Sequence, residues 1–138
     1  MNDPTLLVIN PGSTSTKVAI FQGDQIEASD TLRHDAAAIA AFPRIFDQFD
    51  MRRDAVNKFL CDNSFPIERL SAVIGRGGVL PPLEGGVYIV DDVLVEALYE
   101  YGWNHASSLG GLIAKDIAHA AGIPAYIADP VTTDELDD

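Results

Sequence analysis

The chain has 138 residues, 47% of them hydrophobic and 22% charged, with a formal net charge of −12. That length can bury one ordinary core and leaves no room for a second domain of usual size. So acidic a chain argues against a nucleic-acid footprint, which needs a basic patch or stripe, and leaves Lys17 and Arg76 as isolated positive points able to meet an anion.

A single cysteine, Cys61, forbids an internal disulfide. Its place after Phe59-Leu60 predicts a small buried hydrophobe on the apolar face of a helix. The N-terminus has no charged region followed by an apolar run and cleavage site, and no apolar stretch is long enough to span a bilayer. The expectation is a cytoplasmic protein with no membrane partner.

Taken in order, the apolar, β-prone runs Leu6 to Ile9 and Thr16 to Phe21 flank a turn built on Pro11-Gly12, which predicts a β-hairpin with a polar tip. Gly23-Asp24 marks a second turn into a strand from Gln25 to Leu32, whose alternation suits an outer strand with one solvated face. Ala36 to Ala41 is a short helix stopped by Pro43. Ile45, Phe49, Val56, Phe59 and Leu60 then recur at roughly helical spacing and predict an amphipathic helix, open to a break near Asp50, with its charged residues on a solvated face.

Leu70 to Ile74 predicts a short buried strand running into Gly75-Arg76-Gly77-Gly78, and Val87 to Val90 a further strand. Asp91-Asp92 cap a helix with Val93, Leu94, Ala97, Leu98 and Tyr101 on its apolar face. Ser107 or Ser108 caps the next, with Leu109, Leu112, Ile113, Ile117 and Ala120 inside and Gly122 at its end. Gly110-Gly111 within that helix cost propensity and predict a close approach to another backbone. Pro124 to Ala128 is the last strand, with Asp129-Pro130 at its C-terminal end. The expected class is α/β, a mixed sheet with an antiparallel N-terminal meander, flanked by helices.

At the hairpin tip, backbone N–H groups from Gly12 to Thr16 and the hydroxyls of Ser13, Thr14, Ser15 and Thr16 can converge on phosphate oxygens. Lys17 adds a positive charge, and Asn10 can orient a metal-bound water. The stretch is not a Walker A loop, because it lacks the paired glycines and runs into a strand rather than a helix. The plain alternative is an ordinary hairpin whose hydroxyls cap turns. In the second glycine-rich loop Arg76 suits a carboxylate or phosphate, while the dinucleotide fingerprint fails because Leu80 stands where its third glycine belongs. His34 and His119 read as surface histidines, and no spacing suggests a transition-metal site.

Asn10, Gly12, Ser13, Ser15 and Lys17 resemble the first phosphate loop of the acetate and butyrate kinase family, within the superfamily of actin-like, sugar-kinase and heat-shock ATPases. Pro11 and Thr14 bring the variant closer to the butyrate kinase branch. Three further segments are similar in the same order: Ala72 to Gly78, His105 to Gly110, and Ile127 to Val131 with Asp134-Glu135. The resemblance implies a ribonuclease-H-like, actin-type domain and reversible transfer of the γ-phosphoryl group of ATP to a short-chain fatty acid, giving acyl phosphate and ADP.

Carried over residue by residue, the resemblance implies that Asn10, Gly12, Ser13, Thr14, Ser15, Thr16 and Lys17 hold phosphates. It makes Arg76 and Asp129 catalytic and assigns Arg76, Gly77, Gly78 and His105 to the substrate. Asn10 and Asp129 are then the residues turned toward Mg²⁺. It also implies that residues 1–138 form the N-terminal lobe alone, inactive or impaired without a second, nucleotide-binding lobe, and open to forming a homo-oligomer. Two alternatives stand beside this: a non-catalytic phosphate- or partner-binding module, and a kinase for another carboxylate such as acetate or a branched acid.

Overall fold

The computed structural model describes residues 3–76, 87–101 and 105–128. The chain opens with β1 (Thr5–Pro11), β2 (Ser15–Gln22) and β3 (Gln25–Arg33), an antiparallel meander in which Asn10 pairs with Lys17 and Pro11 with Thr16. Helix α1 (Ala36–Ala41) follows, then a 3₁₀ turn (Ile45–Gln48) that runs into α2 (Phe49–Asp62). After β4 (Ala72–Arg76) come β5 (Val87–Ile89), α3 (Asp92–Tyr101), a 3₁₀ turn (Ala106–Ser108), α4 (Leu109–Ala121) and β6 (Ala125–Ala128).

The described strands form a mixed sheet in the order β3-β2-β1-β4-β6-β5. β4 lies parallel to both β1 and β6, and a parallel neighbour demands a crossover, which the helices supply. β3 is an outer strand, as its alternation predicted.

Strand period 2 sorts the side chains. Leu7, Ile9, Val18, Ile20, Val73, Ala125 and Ile127 face one way and meet Val56, Phe59 and Leu60 of α2 and Leu109, Ile113 and Ile117 of α4. Burying each such leucine or isoleucine contributes about 1.5–3 kcal/mol, so this layer dominates the fold. The contacts of α2 and α4 with the sheet and with each other put both on that face.

Two glycines set how close α4 comes. Gly75 of β4 lies against the backbone of Gly110, so any side chain there would strike the helix, and a β-carbon on Gly110 would sit 3.0 Å from the Arg76 carbonyl oxygen. The helix propensity given up at Gly110-Gly111 is thus exchanged for backbone-to-backbone packing. Gly122 ends α4 at φ 72°, the left-handed conformation glycine adopts without steric cost.

Several expectations are corrected. Cys61 is exposed, because the buried stripe of α2 is Arg52, Val56, Phe59 and Leu60, and one further residue turns a side chain about 100° away. Val93 is exposed and Val95 packs in its place, while Ala118 and not Ala120 lines the inner face of α4. The helical break expected near Asp50 is present, at the Gln48–Phe49 junction. Asp91 caps α3 as expected, accepting from the Leu94 amide at 2.9 Å, whereas Ser108 makes no side-chain cap at α4. Among the described residues no helix is long and apolar enough to cross a membrane.

Candidate functional site

The β1–β2 hairpin turns through Gly12, Ser13 and Thr14, and the Gly12 amide closes it by donating to the Ser15 carbonyl at 2.7 Å. The turn is then held from the core side. Arg52 of α2 is fully buried, and its guanidinium donates to the Ser13 carbonyl (3.0 Å), the Ser15 carbonyl (2.9 Å) and Thr16 Oγ1 (3.1 Å). Its Nε donates to Gln48 Oε1 at 3.0 Å, so a second buried side chain orients the fork. The His34 amide donates to the Thr14 carbonyl at 2.9 Å, and the carbonyls of three successive tip residues are therefore all engaged.

Burial pushes the Arg52 pKa down to about 10, which leaves it charged at neutral pH. Among the described residues no carboxylate pairs with it. Thr16 is equally buried, its hydroxyl 2.8 Å from His34 Nε2. Because Arg52 donates to that hydroxyl, its own proton is free for Nε2 of a neutral His34. Burial, and next the charge of Arg52, lower the His34 pKa and favour that neutral ring. His34 is thus half-buried in a network and not the free surface histidine its sequence suggested.

On the outer side, Ser13 and Thr14 are exposed and Ser15 is half-buried. Among the described residues the amides of Ser13 and Thr14 and the hydroxyls of Ser13, Thr14 and Ser15 have no hydrogen-bond acceptor, and Lys17 has no carboxylate partner. This cluster of unspent donors suits an anion. Thr16 differs from its neighbours, since its hydroxyl is committed to the interior.

Asn10, Lys17 and Arg76, distant in sequence, line one shallow cavity of about 410 Å³ with Val8, Ala19 and Phe21. The cavity lies on the sheet face opposite α2 and α4, where Asn10 and Lys17 are cross-strand partners. Gly12, Ser13 and His105 line a different cavity of about 440 Å³, walled by Ile39 and Ile45. Arg76 and His105 therefore flank the hairpin from two sides and do not share one cavity. Gly77, Gly78 and Asp129 lie outside the described residues.

No group of three His, Cys, Asp or Glu residues able to cage a metal occurs among the described residues. The Asn10 carboxamide, without a protein partner among them, can meet an ion that keeps its waters and is held mainly by substrate phosphates, which is how Mg²⁺ binds.

Arg52 was not among the site residues read from sequence, where it passed for part of a solvated face. The signal was its spacing: 52, 56, 59 and 60 form a single helical stripe, and an arginine on an apolar stripe is a buried cation in search of acceptors. His34 carried no comparable signal, since its role depends on where the β2–β3 register places it.

The meander and its mixed sheet form a fold shared with acetate and propionate kinases of known structure. The chain superposes on acetate kinase from Porphyromonas gingivalis with a TM-score of 0.58 over 91% of this chain and 37% of that one, at 17% identity, a likeness of fold alone. Sequence narrows it further: the chain is homologous to butyrate kinases. It is 48% identical over 135 residues to a probable butyrate kinase of Clostridium botulinum (strain Eklund 17B) and 47% identical over 134 residues to butyrate kinase 2 of Clostridium acetobutylicum, in each case over 96% of this chain. The chain spans 38% of the length of these curated relatives. No family model matches it.

Proposed function

We propose that this chain forms the phosphate-binding lobe of a two-lobed, cytoplasmic kinase that reversibly transfers the γ-phosphoryl group of ATP to the carboxylate of a short-chain fatty acid such as butyrate. The observation that carries the reading is the hairpin tip, whose carbonyls are engaged from below while the amides of Ser13 and Thr14 and three hydroxyls remain for a ligand. Lys17, Asn10 and Arg76 stand beside it on one cavity, in a chain that is 48% identical to a probable butyrate kinase.

A carboxylate is already a nucleophile at neutral pH, so positioning and charge neutralisation supply the catalysis and no strong base is needed. In this reading the tip donors and Lys17 bind phosphate oxygens, and Thr16 fixes the tip from inside. Arg76 pairs with the acid's carboxylate or with the phosphoryl group in flight, and His105, Gly77 and Gly78 approach the acyl substrate. Asn10 and Asp129 would hold Mg²⁺, which would supply further neutralisation of phosphate charge. The second lobe completes the cleft, so this chain alone binds nucleotide phosphates but does not turn over.

The test is a titration of the ¹⁵N-labelled chain with Mg-ATP, together with a hydroxylamine trap for acyl phosphate from butyrate, acetate and a branched acid. Expected are shifts centred on Ser13, Thr14, Ser15 and Lys17 and reaching Asn10, Arg52 and Arg76 beside them, with no trapped product. Absence of those shifts would overturn the phosphate-lobe reading and favour a non-catalytic module. Turnover at the rate of an intact relative would overturn the division between lobes.

A further inference from the structure

We infer that Arg52 is the positioning residue of the phosphate loop, shaping the hairpin tip with its fork and supplying a buried positive charge that a bound phosphate neutralises. This rests on the reading of the tip as a phosphate site. The geometric half follows from peptide planarity: in a trans peptide the C=O and the following N–H point in opposite directions. Arg52 draws the Ser13 carbonyl inward at 3.0 Å, so the Thr14 amide faces outward, where it has no protein acceptor among the described residues. The same guanidinium holds the Ser15 carbonyl and Thr16 Oγ1, which fixes both ends of the tip to one rigid group.

The electrostatic half follows from the missing counter-charge. A neutral donor would pin the same carbonyls without the cost of removing a cation from water. Arg52 is fully buried, and all its hydrogen bonds among the described residues go to neutral oxygens. Its charge is therefore unspent directly beneath the unspent amides and hydroxyls of the tip. A phosphate on the outer side meets that charge through a low-dielectric layer, where one unit charge several ångström away changes affinity by about tenfold or more at an effective dielectric of about 20.

The experiment titrates inorganic tripolyphosphate with Mg²⁺ into the wild-type chain, Arg52→Lys and Arg52→Met, with a thermal melt of each. Arg52→Met is expected to weaken binding tenfold or more and Arg52→Lys distinctly less, since lysine keeps the charge and loses the fork. Equal affinity of folded Arg52→Met and wild type would overturn the inference while leaving the loop's phosphate reading intact. Equal loss in both variants would overturn the charge component. No binding by the wild type would overturn the phosphate reading and this inference with it. A second readout needs no variant: the Arg52 Nε–H resonance of the wild type should shift with the loop amides, and a stationary Arg52 signal during saturation of the loop would overturn the inference even if Arg52→Met does not fold.

Discussion

Gly75 of β4 and Gly110 of α4 meet backbone to backbone, and a β-carbon on Gly75 would lie 2.5 Å from the Gly111 nitrogen as well as against the Gly110 carbonyl. Neither side can yield, because one is a central strand and the other a helix packed on it.

Gly75→Ala is therefore expected to destabilise the chain by about 3 kcal/mol or more, at the upper end of overpacking costs. Gly110→Ala meets the Arg76 carbonyl oxygen at 3.0 Å and Pro11 Cδ at 3.1 Å, milder contacts than those at Gly75, and it regains about 1 kcal/mol of helix propensity. Urea denaturation should rank Gly75→Ala as clearly the worse; equal midpoints would contradict the packing described.

The His34 network gives stability a pH dependence of known sign. Its folded pKa lies below the ordinary value, so between the two values the unfolded chain binds more protons. The contribution is fully present above about pH 6.5 and is lost as pH falls through the depressed folded value. Urea melts from pH 7.5 to 5 should show a shallower decline for His34→Gln than for wild type; parallel curves would show that His34 titrates normally.

Lys17 is exposed and has no carboxylate partner among the described residues. Lys17→Met should leave the melting temperature almost unchanged, as surface substitutions do, while weakening Mg-ATP binding by roughly fivefold at low salt and flattening its salt dependence. Undiminished affinity would remove Lys17 from the phosphate site.

Cys61 stands outside the buried stripe of α2, so a thiol reagent should modify it in the native state without a preceding unfolding step. Modification that waits on denaturant would place the side chain in the core after all.

The strands were legible because hairpin turns and period-2 burial are local: Pro11-Gly12 and Gly23-Asp24 announced the meander that the pairing Asn10–Lys17 completes. The donors of the tip were legible for the same reason. Strand order was not, since nothing in Leu70 to Ile74 says that it inserts between β1 and β6. Nor was the underside of the loop, where Arg52 and Ser13 meet across 39 positions of chain and a charged residue reads as solvated until its acceptors are in place. The Gly110-Gly111 pair lies between these cases: the sequence pointed to a close neighbour, and only the fold named Gly75.

The two margins of the sheet are finished differently. On one side β3 carries exposed Gln25, Glu27, Asp30 and Arg33, so a second copy aligned along it would have to cover charged side chains. On the other, the described sheet ends at β5, whose three residues make a poor template for an incoming strand. Among the described residues both margins disfavour continuing the sheet from molecule to molecule, which leaves side-chain surfaces, rather than open backbone, for any self-assembly.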